Sequence, residues 1–247
     1  MDAIHCALDC GITTFDTAPM YSDGQAEGLL GHALSGVRRQ AAQVITKINP
    51  WDATRDGIAG ECEGSLRRIG TDWIDLYLVH WRGPVPLEET VDGLERLRRQ
   101  GKIRDWGVSN FDQDDARAVV ALRPDHLPPL VNQVLFNPRR REAEPRLQKV
   151  FTTVALMAYS PFERDRTLDF SPFADVALRH GCEPRAAVLA WILRKGITPV
   201  FKAARADHVR ANATAMNVDF LPAELHLIDF AFPCPQQPVR IERDDIV

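Results

Sequence analysis

The chain has 247 residues, 45% of them hydrophobic, enough to bury one large core or two small ones. Its net charge of −4 gives no general attraction to nucleic acid or an anionic membrane, although a local basic cluster would suffice for a small anionic ligand. No stretch approaches the roughly 20 apolar residues of a membrane span, and no charged segment followed by an apolar run opens the chain, so a cytoplasmic protein is expected. The five cysteines, Cys6, Cys10, Cys62, Cys182 and Cys234, are odd in number and lack CxxC spacing. That argues against a disulfide framework or a zinc site; four lie in stretches read as helical, which predicts buried thiols.

Ile4, Ala7 and Leu8 share helical spacing over residues 2 to about 10, and Gly11 stops that helix. The next stretch, GITTFDTAPMY, reads as a short strand, Ile12 to Phe15, that delivers Asp16 to its end and Tyr21 a few residues later. Gln25 to Leu34 is a helix, and Val44 to Thr46 a strand ending at Lys47. Asp52 to Arg68 is helical, with Ile58, Cys62, Leu66 and Ile69 on one face. Ile74 to Val79 is an apolar run of the kind covered on both sides in a parallel sheet, and it stops at His80.

Further along, a helix over Glu88 to Gln100 leads to a strand, Ile103 to Val108, followed by Ser109, Asn110 and Phe111. Helix Asp112 to Leu122, strand Val131 to Val134 with Gln133, helix Glu142 to Val150 and strand Val154 to Ala158 ending at Tyr159 and Ser160 continue the alternation. The run Arg139, Arg140, Arg141 reads as a solvated loop. Helices at about Phe173 to Arg179 and Pro184 to Arg194 precede a strand, Thr198 to Phe201, that ends at Lys202. Helices from about Asp207 to Met216 and Leu221 to Phe230 follow, then an irregular proline-rich tail. Seven strands alternating with helices, without a break in composition, predict an α/β protein of the parallel (β/α) barrel class and one domain over 1–247.

Asp16, Lys47, His80, Ser109, Asn110, Gln133, Tyr159 and Lys202 all stand at or near the C-terminal limit of an apolar run. In a β/α barrel those ends converge on one face, where the active site is built.

The motifs FDTAPMY, ITK, DLYLVHW, GKIRDWGVSNF, NQVLFN, AYSPF and KAARADHVRAN occur in an order and at spacings that resemble the aldo-keto reductases. Within that family the wording is similar to bacterial enzymes that reduce methylglyoxal, related aldehydes or diketo sugars. The resemblance implies a (β/α)8 TIM barrel and reduction of a carbonyl with a nicotinamide cofactor, hydride going to carbon and a proton to oxygen, with no metal required. Tyr21 would donate the proton, Lys47 would favour the phenolate as a neighbouring cation, and Asp16 would hold Lys47. His80 would either orient the substrate oxygen or relay the proton.

For the cofactor, the resemblance assigns Ser109, Asn110 and Gln133 to the carboxamide and Tyr159 to stacking on the nicotinamide. It gives Ser160 and Phe162 to the pyrophosphate, Lys202 to the 2′-phosphate and Asn212 to the adenine. Ala203 stands where a serine is common, and His208 where an arginine clamps the phosphate, a role Arg205 could take over. NADP(H) is therefore expected over NAD(H), chiefly from Lys202. Met20, Trp51 and Trp81 would line the substrate pocket, with the tail of about 232–247 over it.

The family's N-terminal hairpin and first barrel strand should precede residue 3, so about seven strands are encoded. Either the true start lies upstream or the barrel is truncated. A monomer is expected, with the gap as a place for self-association. Two other readings are a truncated, non-catalytic nucleotide-binding barrel and a Schiff-base aldolase using Lys47 or Lys202.

Overall fold

Strands and helices alternate along the chain in the computed structural model, which describes residues 1–122, 131–144, 149–163, 168–237 and 241. The strands are β1 (Thr14–Asp16), β2 (Gln43–Ile48), β3 (Ile74–Val79), β4 (Ile103–Ser109), β5 (Val131–Leu135), β6 (Ala155–Tyr159) and β7 (Ile197–Pro199). They form one seven-stranded sheet in chain order. β1 with β2, β2 with β3, β3 with β4, and β6 with β7 pair in parallel. Around them run α1 (Asp2–Asp9), α2 (Gln25–Ala33), α3 (Val37–Ala41), α4 (Gly57–Ile69), α5 (Leu87–Arg99) and α6 (Gln113–Leu122). Then come α7 (Ala174–His180), α8 (Pro184–Arg194), α9 (Ala206–Ala213) and α10 (Pro222–Ala231). Residues Ala3–Asn132 and Gln133–Val247 make two compact units.

In the first unit the apolar stripes of α4 and α5 cover the sheet. Ile58, Cys62 and Leu66 recur every four residues and Val91, Leu94 and Leu97 every three, and both sets pack with Ile74, Tyr77, Ile103 and Trp106 from the strands. A second cluster sets Leu30 and Leu34 against Val44 and Ile69. There α2 and α4 come close: a Cβ on Gly31 would stand 2.0 Å from the carbonyl oxygen of Ile69, so only glycine fits. Trp73 is covered by the guanidinium groups of Arg39 at 4.4 Å and Arg104 at 5.2 Å from its ring centre.

In the second unit α8 is buried from Ala186 to Ile192, as expected for a helix apolar on all sides. Trp191 stacks on Phe136 with centroids 5.8 Å apart, and Phe173 meets it edge-on. Arg141 lies over the same indole, 5.3 Å from its centre.

Arg141 overturns the reading of residues 139 to 141 as a solvated loop. It is 1% exposed and donates to Glu144 Oε2 at 2.8 Å, Asp229 Oδ1 at 2.7 Å and the carbonyl of Phe232 at 2.5 Å. Arg140 pairs with Glu163. The expected helix Glu142 to Val150 is also absent from the described residues: Glu142 and Ala143 form a turn, Lys149–Thr152 is a 3-10 turn, and residues 145–148 lie outside them. The ion pairs of Arg141 to Glu144 and Asp229 lie at the described start of that stretch.

Strand ends differ as well, by one residue at β4 and β5, which reach Ser109 and Leu135. β2 runs one residue past Lys47, and β7 ends at Pro199, three residues before Lys202. α3 went unforeseen because five residues after Gly36 cannot display a period. Of the cysteines, Cys6, Cys62 and Cys234 are buried, whereas Cys10 is exposed at the end of α1 and Cys182 half-buried; none is disulfide-bonded. Among the described residues no helix is long and apolar enough to cross a membrane, and no cluster of His, Cys, Asp and Glu could hold a metal ion.

Candidate active site

Three adjacent strands of the first unit supply the centre. β1 ends on Asp16, β2 carries Lys47, and His80 directly follows β3, its N–H donating to the carbonyl of Ile48 at 3.0 Å. Tyr21 arrives from the loop after β1, with its N–H donating to the carbonyl of Ala18. Because side chains alternate along a strand, Lys47 projects to one face of β2 and Thr46 to the other.

The Lys47 ammonium is fully buried and has three oxygen partners: Asp16 Oδ2 at 2.6 Å, the carbonyl of Thr17 at 3.0 Å and Tyr21 Oη at 3.3 Å. Burial disfavours its charge, but the Asp16 carboxylate and the Tyr21 oxygen outweigh that loss and hold Lys47 above the ordinary lysine value. It therefore remains a cation with one hydrogen bond directed at the phenol.

His80 is 4% exposed, and its Nδ1 has no hydrogen-bond partner among the described residues. Burial, reinforced by the charge of Lys47, pushes its pKa down to about 3. At neutral pH the ring is uncharged; it can donate or accept one hydrogen bond but brings no proton of its own to release.

The aromatic residues around this centre leave an open side. The His80 ring lies 6.1 Å from that of Tyr21, nearly perpendicular to it, and 4.8 Å from Trp81, which meets Trp51 edge-on at 5.4 Å. Trp51 is 61% exposed and Tyr21 40%, whereas Met20 and Trp81 are half-buried. At the end of β4, Ser109 and Asn110 are buried. Asn110 adopts φ 56° and donates from Nδ2 to the carbonyl of His80 at 3.1 Å and to Ser109 Oγ at 3.2 Å. One asparagine thus ties the fourth strand end to the third.

The remaining expected residues belong to the second unit. Gln133 is buried within β5, Tyr159 ends β6 half-buried, and Ser160 follows at φ 51° with its carbonyl accepting from Asn137 Nδ2 at 3.0 Å. Phe162 is half-buried against Phe170, with the Arg185 guanidinium 4.9 Å from its ring centre. Lys202, Arg205 and His208 are exposed, Ala203 is half-buried, and Asn212 is buried on α9. Arg205 is engaged by the Asp207 carboxylate. Of the tail, Pro238–Arg240 and Glu242–Val247 lie outside the described residues.

Sequence reasoning missed the groups behind β2. Thr46 donates to the buried Glu27, which also pairs with Arg68. One signal was present: Glu27 shares a helical face with Leu30 and Leu34, so a carboxylate interrupts an apolar stripe.

A parallel β/α fold whose strand ends carry a buried lysine between a carboxylate and a phenol, with a neutral histidine alongside, defines a class of acid–base enzyme. Residues 1–170 match the aldo/keto reductase family model, and the chain belongs to that family. It is 38% identical over 244 residues to the methylglyoxal reductase YeaE of Escherichia coli (strain K12), covering 95% of this chain and 84% of that protein. It is 29% identical to the glyoxal reductase of Bacillus subtilis (strain 168), over 92% of this chain and 82% of the relative. The crystal structure of a Klebsiella pneumoniae aldo/keto reductase in complex with NADP and acetate superposes with a TM-score of 0.90 at 36% identity, covering 98% of this chain and 88% of that one. The fold is therefore that of the (β/α)8 barrels, with seven strands among the described residues, and the chain is an oxidoreductase of the carbonyl-reducing kind.

Proposed function

We propose that the chain reduces small aldehydes, ketoaldehydes or diketo sugars to alcohols at the expense of NADPH, with Tyr21 as the general acid. The observation that carries this reading is the Lys47 ammonium, buried between Asp16 and Tyr21 with a hydrogen bond to each. A carbonyl oxygen seated by Tyr21 and His80 takes its proton from the phenol. The cation then stabilises the phenolate left behind, and Asp16 keeps the cation in place. His80, being neutral, orients the oxygen and does not release a proton of its own. The half-buried Trp81 and the exposed Trp51 offer apolar surface to the substrate's carbon skeleton, which suits compounds of more than one shape.

A nicotinamide cofactor, when bound, would supply the hydride. Chemically, Ser109, Asn110 and Gln133 are buried polar side chains suited to a carboxamide, and Tyr159 offers a half-buried ring for stacking. The exposed Lys202, with His208 in the first turn of α9, suits a phosphate. The relatives named for methylglyoxal and glyoxal, and the Klebsiella complex with NADP, support this choice of substrate and cofactor. A Schiff-base mechanism through Lys47 is disfavoured because it needs a lysine with a depressed pKa, and Lys47 is shifted the other way.

The test is loss of NADPH absorbance in the near ultraviolet with methylglyoxal and with an aromatic aldehyde, for the parent and Tyr21→Phe. The variant is expected to lose about 10²–10⁴ in kcat while still binding NADPH. Full activity in the variant would refute the role given to Tyr21.

A further inference from the structure

The backbone between Tyr21 and α2 runs through three consecutive left-handed residues, Ser22, Asp23 and Gly24, at φ 50°, 51° and 81°. Two of these carry side chains, and such a conformation persists only where the surroundings over-determine it. Arg68 of α4 forms part of those surroundings. A Cβ on Gly24 would stand 2.6 Å from Arg68 Cδ, so the arginine stem packs directly on the last residue of the turn. Its guanidinium donates to Glu27 Oε2 at 2.5 Å and to Ser65 Oγ at 3.2 Å.

Glu27 stands in the first turn of α2 and is completely buried. Its second oxygen accepts from Thr46 Oγ1 at 2.6 Å. Thr46 immediately precedes Lys47, and the hydroxyl leaves the sheet on the face opposite the ammonium. The turn that presents Tyr21 and the strand that presents Lys47 are therefore tied to one carboxylate. A buried ion pair is weak evidence for net stability, and its best-attested use is to fix register.

We propose that Glu27 is a positioning residue for proton transfer: with Arg68 and Thr46 it clamps the left-handed turn behind Tyr21 to β2, and so sets the 3.3 Å separation of Tyr21 Oη from Lys47 Nζ. The inference rests on the reading of Tyr21 as general acid. Its kinetic consequence follows from geometry, since a displacement of about 1 Å in a reacting group can cost on the order of 10²-fold in rate.

Three substitutions isolate the clamp. Thr46→Val removes one hydroxyl at nearly constant shape, Thr46→Ser restores it, and Glu27→Gln keeps the size of the side chain but removes its charge. Steady-state kinetics with methylglyoxal, NADPH titration by fluorescence and hydrogen exchange over residues 17–26 are measured for each. Thr46→Val and Glu27→Gln are expected to lower kcat about tenfold and to speed exchange at Tyr21 to Gln25. KM and NADPH affinity should stay within about twofold of the parent, and Thr46→Ser should recover the parent kcat. Unchanged kcat in Thr46→Val and Glu27→Gln overturns the proposal, whatever the exchange rates. A fall in activity that only tracks the folded fraction, without faster local exchange, overturns it too. Tyr21→Phe separates the two failures: a large loss there with full kcat in Glu27→Gln removes the clamp alone, whereas full activity in Tyr21→Phe removes the acid and the clamp together.

Discussion

The first unit holds its reactive side chains by short, buried contacts, whereas the second presents Lys202, Arg205 and His208 to solvent. The contrast follows from what each group is asked to do. Proton transfer slows on the order of 10²-fold when a reacting group is misplaced by about 1 Å, and Lys47 is held by three oxygen partners. Attraction between a cation and a phosphate falls off gently with distance, and an exposed lysine can adjust as its ligand arrives. The second unit also buries Arg141 with Glu144, beside the more exposed Asp229, a cluster with no part in the proposed chemistry.

Replacing Lys47 should break this comparison most severely. Lys47→Met leaves Asp16 partly buried without its cation, which is expected to cost about 3–5 kcal/mol of stability. It should also lower kcat by about 10²–10⁴ in the protein that still folds; denaturant titration and kinetics on the same sample separate the two losses. Arg141→Met should be less destabilising, about 1–3 kcal/mol, because Glu144 loses Arg141 but keeps Lys195 at 3.2 Å. Here kcat per folded molecule should be retained, and a collapse of kcat in the folded fraction would contradict the division between the units.

Acid titration sharpens the contrast at lower cost. Since the folded state lowers the pKa of His80 from 6.5 to about 3, the unfolded chain binds more protons between those values. Stability contributed by neutral His80 is therefore complete above about pH 6.5 and is lost as the pH falls toward 3, by about 1.4 kcal/mol per unit. The difference between parent and His80→Asn, followed by denaturant midpoints over that range, should show this slope; parallel curves would refute it. The smallest effect is expected at the exposed end. Lys202→Ala should weaken NADPH by about tenfold, in line with a lost hydrogen bond to a charged group, and leave NADH nearly unaffected. Equal losses for both cofactors would remove the 2′-phosphate role.

Much of the first unit was legible in the sequence because its signals are local. Ile74 to Val79 is a strand with the bounds its apolar run predicts, and in the second unit Pro184 to Arg194 is a helix likewise. Asp16, Lys47 and His80 could be selected because polar residues close runs of apolar ones. What escaped the reading depends on partners distant in the chain. Arg141 looked solvated beside two other arginines, yet Asp229 and the carbonyl of Phe232 lie about ninety residues further on and bury it. Nor could spacing alone show that His80 would be neutral, since that state depends on burial and on the charge of Lys47, a residue of the neighbouring strand.

The edge-on contact of Trp51 with Trp81 has a practical consequence. Trp106 and Trp191 are sealed in the cores and Trp73 is covered by two arginines, so Trp51 is the indole most open to water. Its emission should be the most red-shifted of the five and should move to shorter wavelength when an occupant covers it. The molecule thus carries its own optical reporter of ligand arrival, one that can be read without turnover.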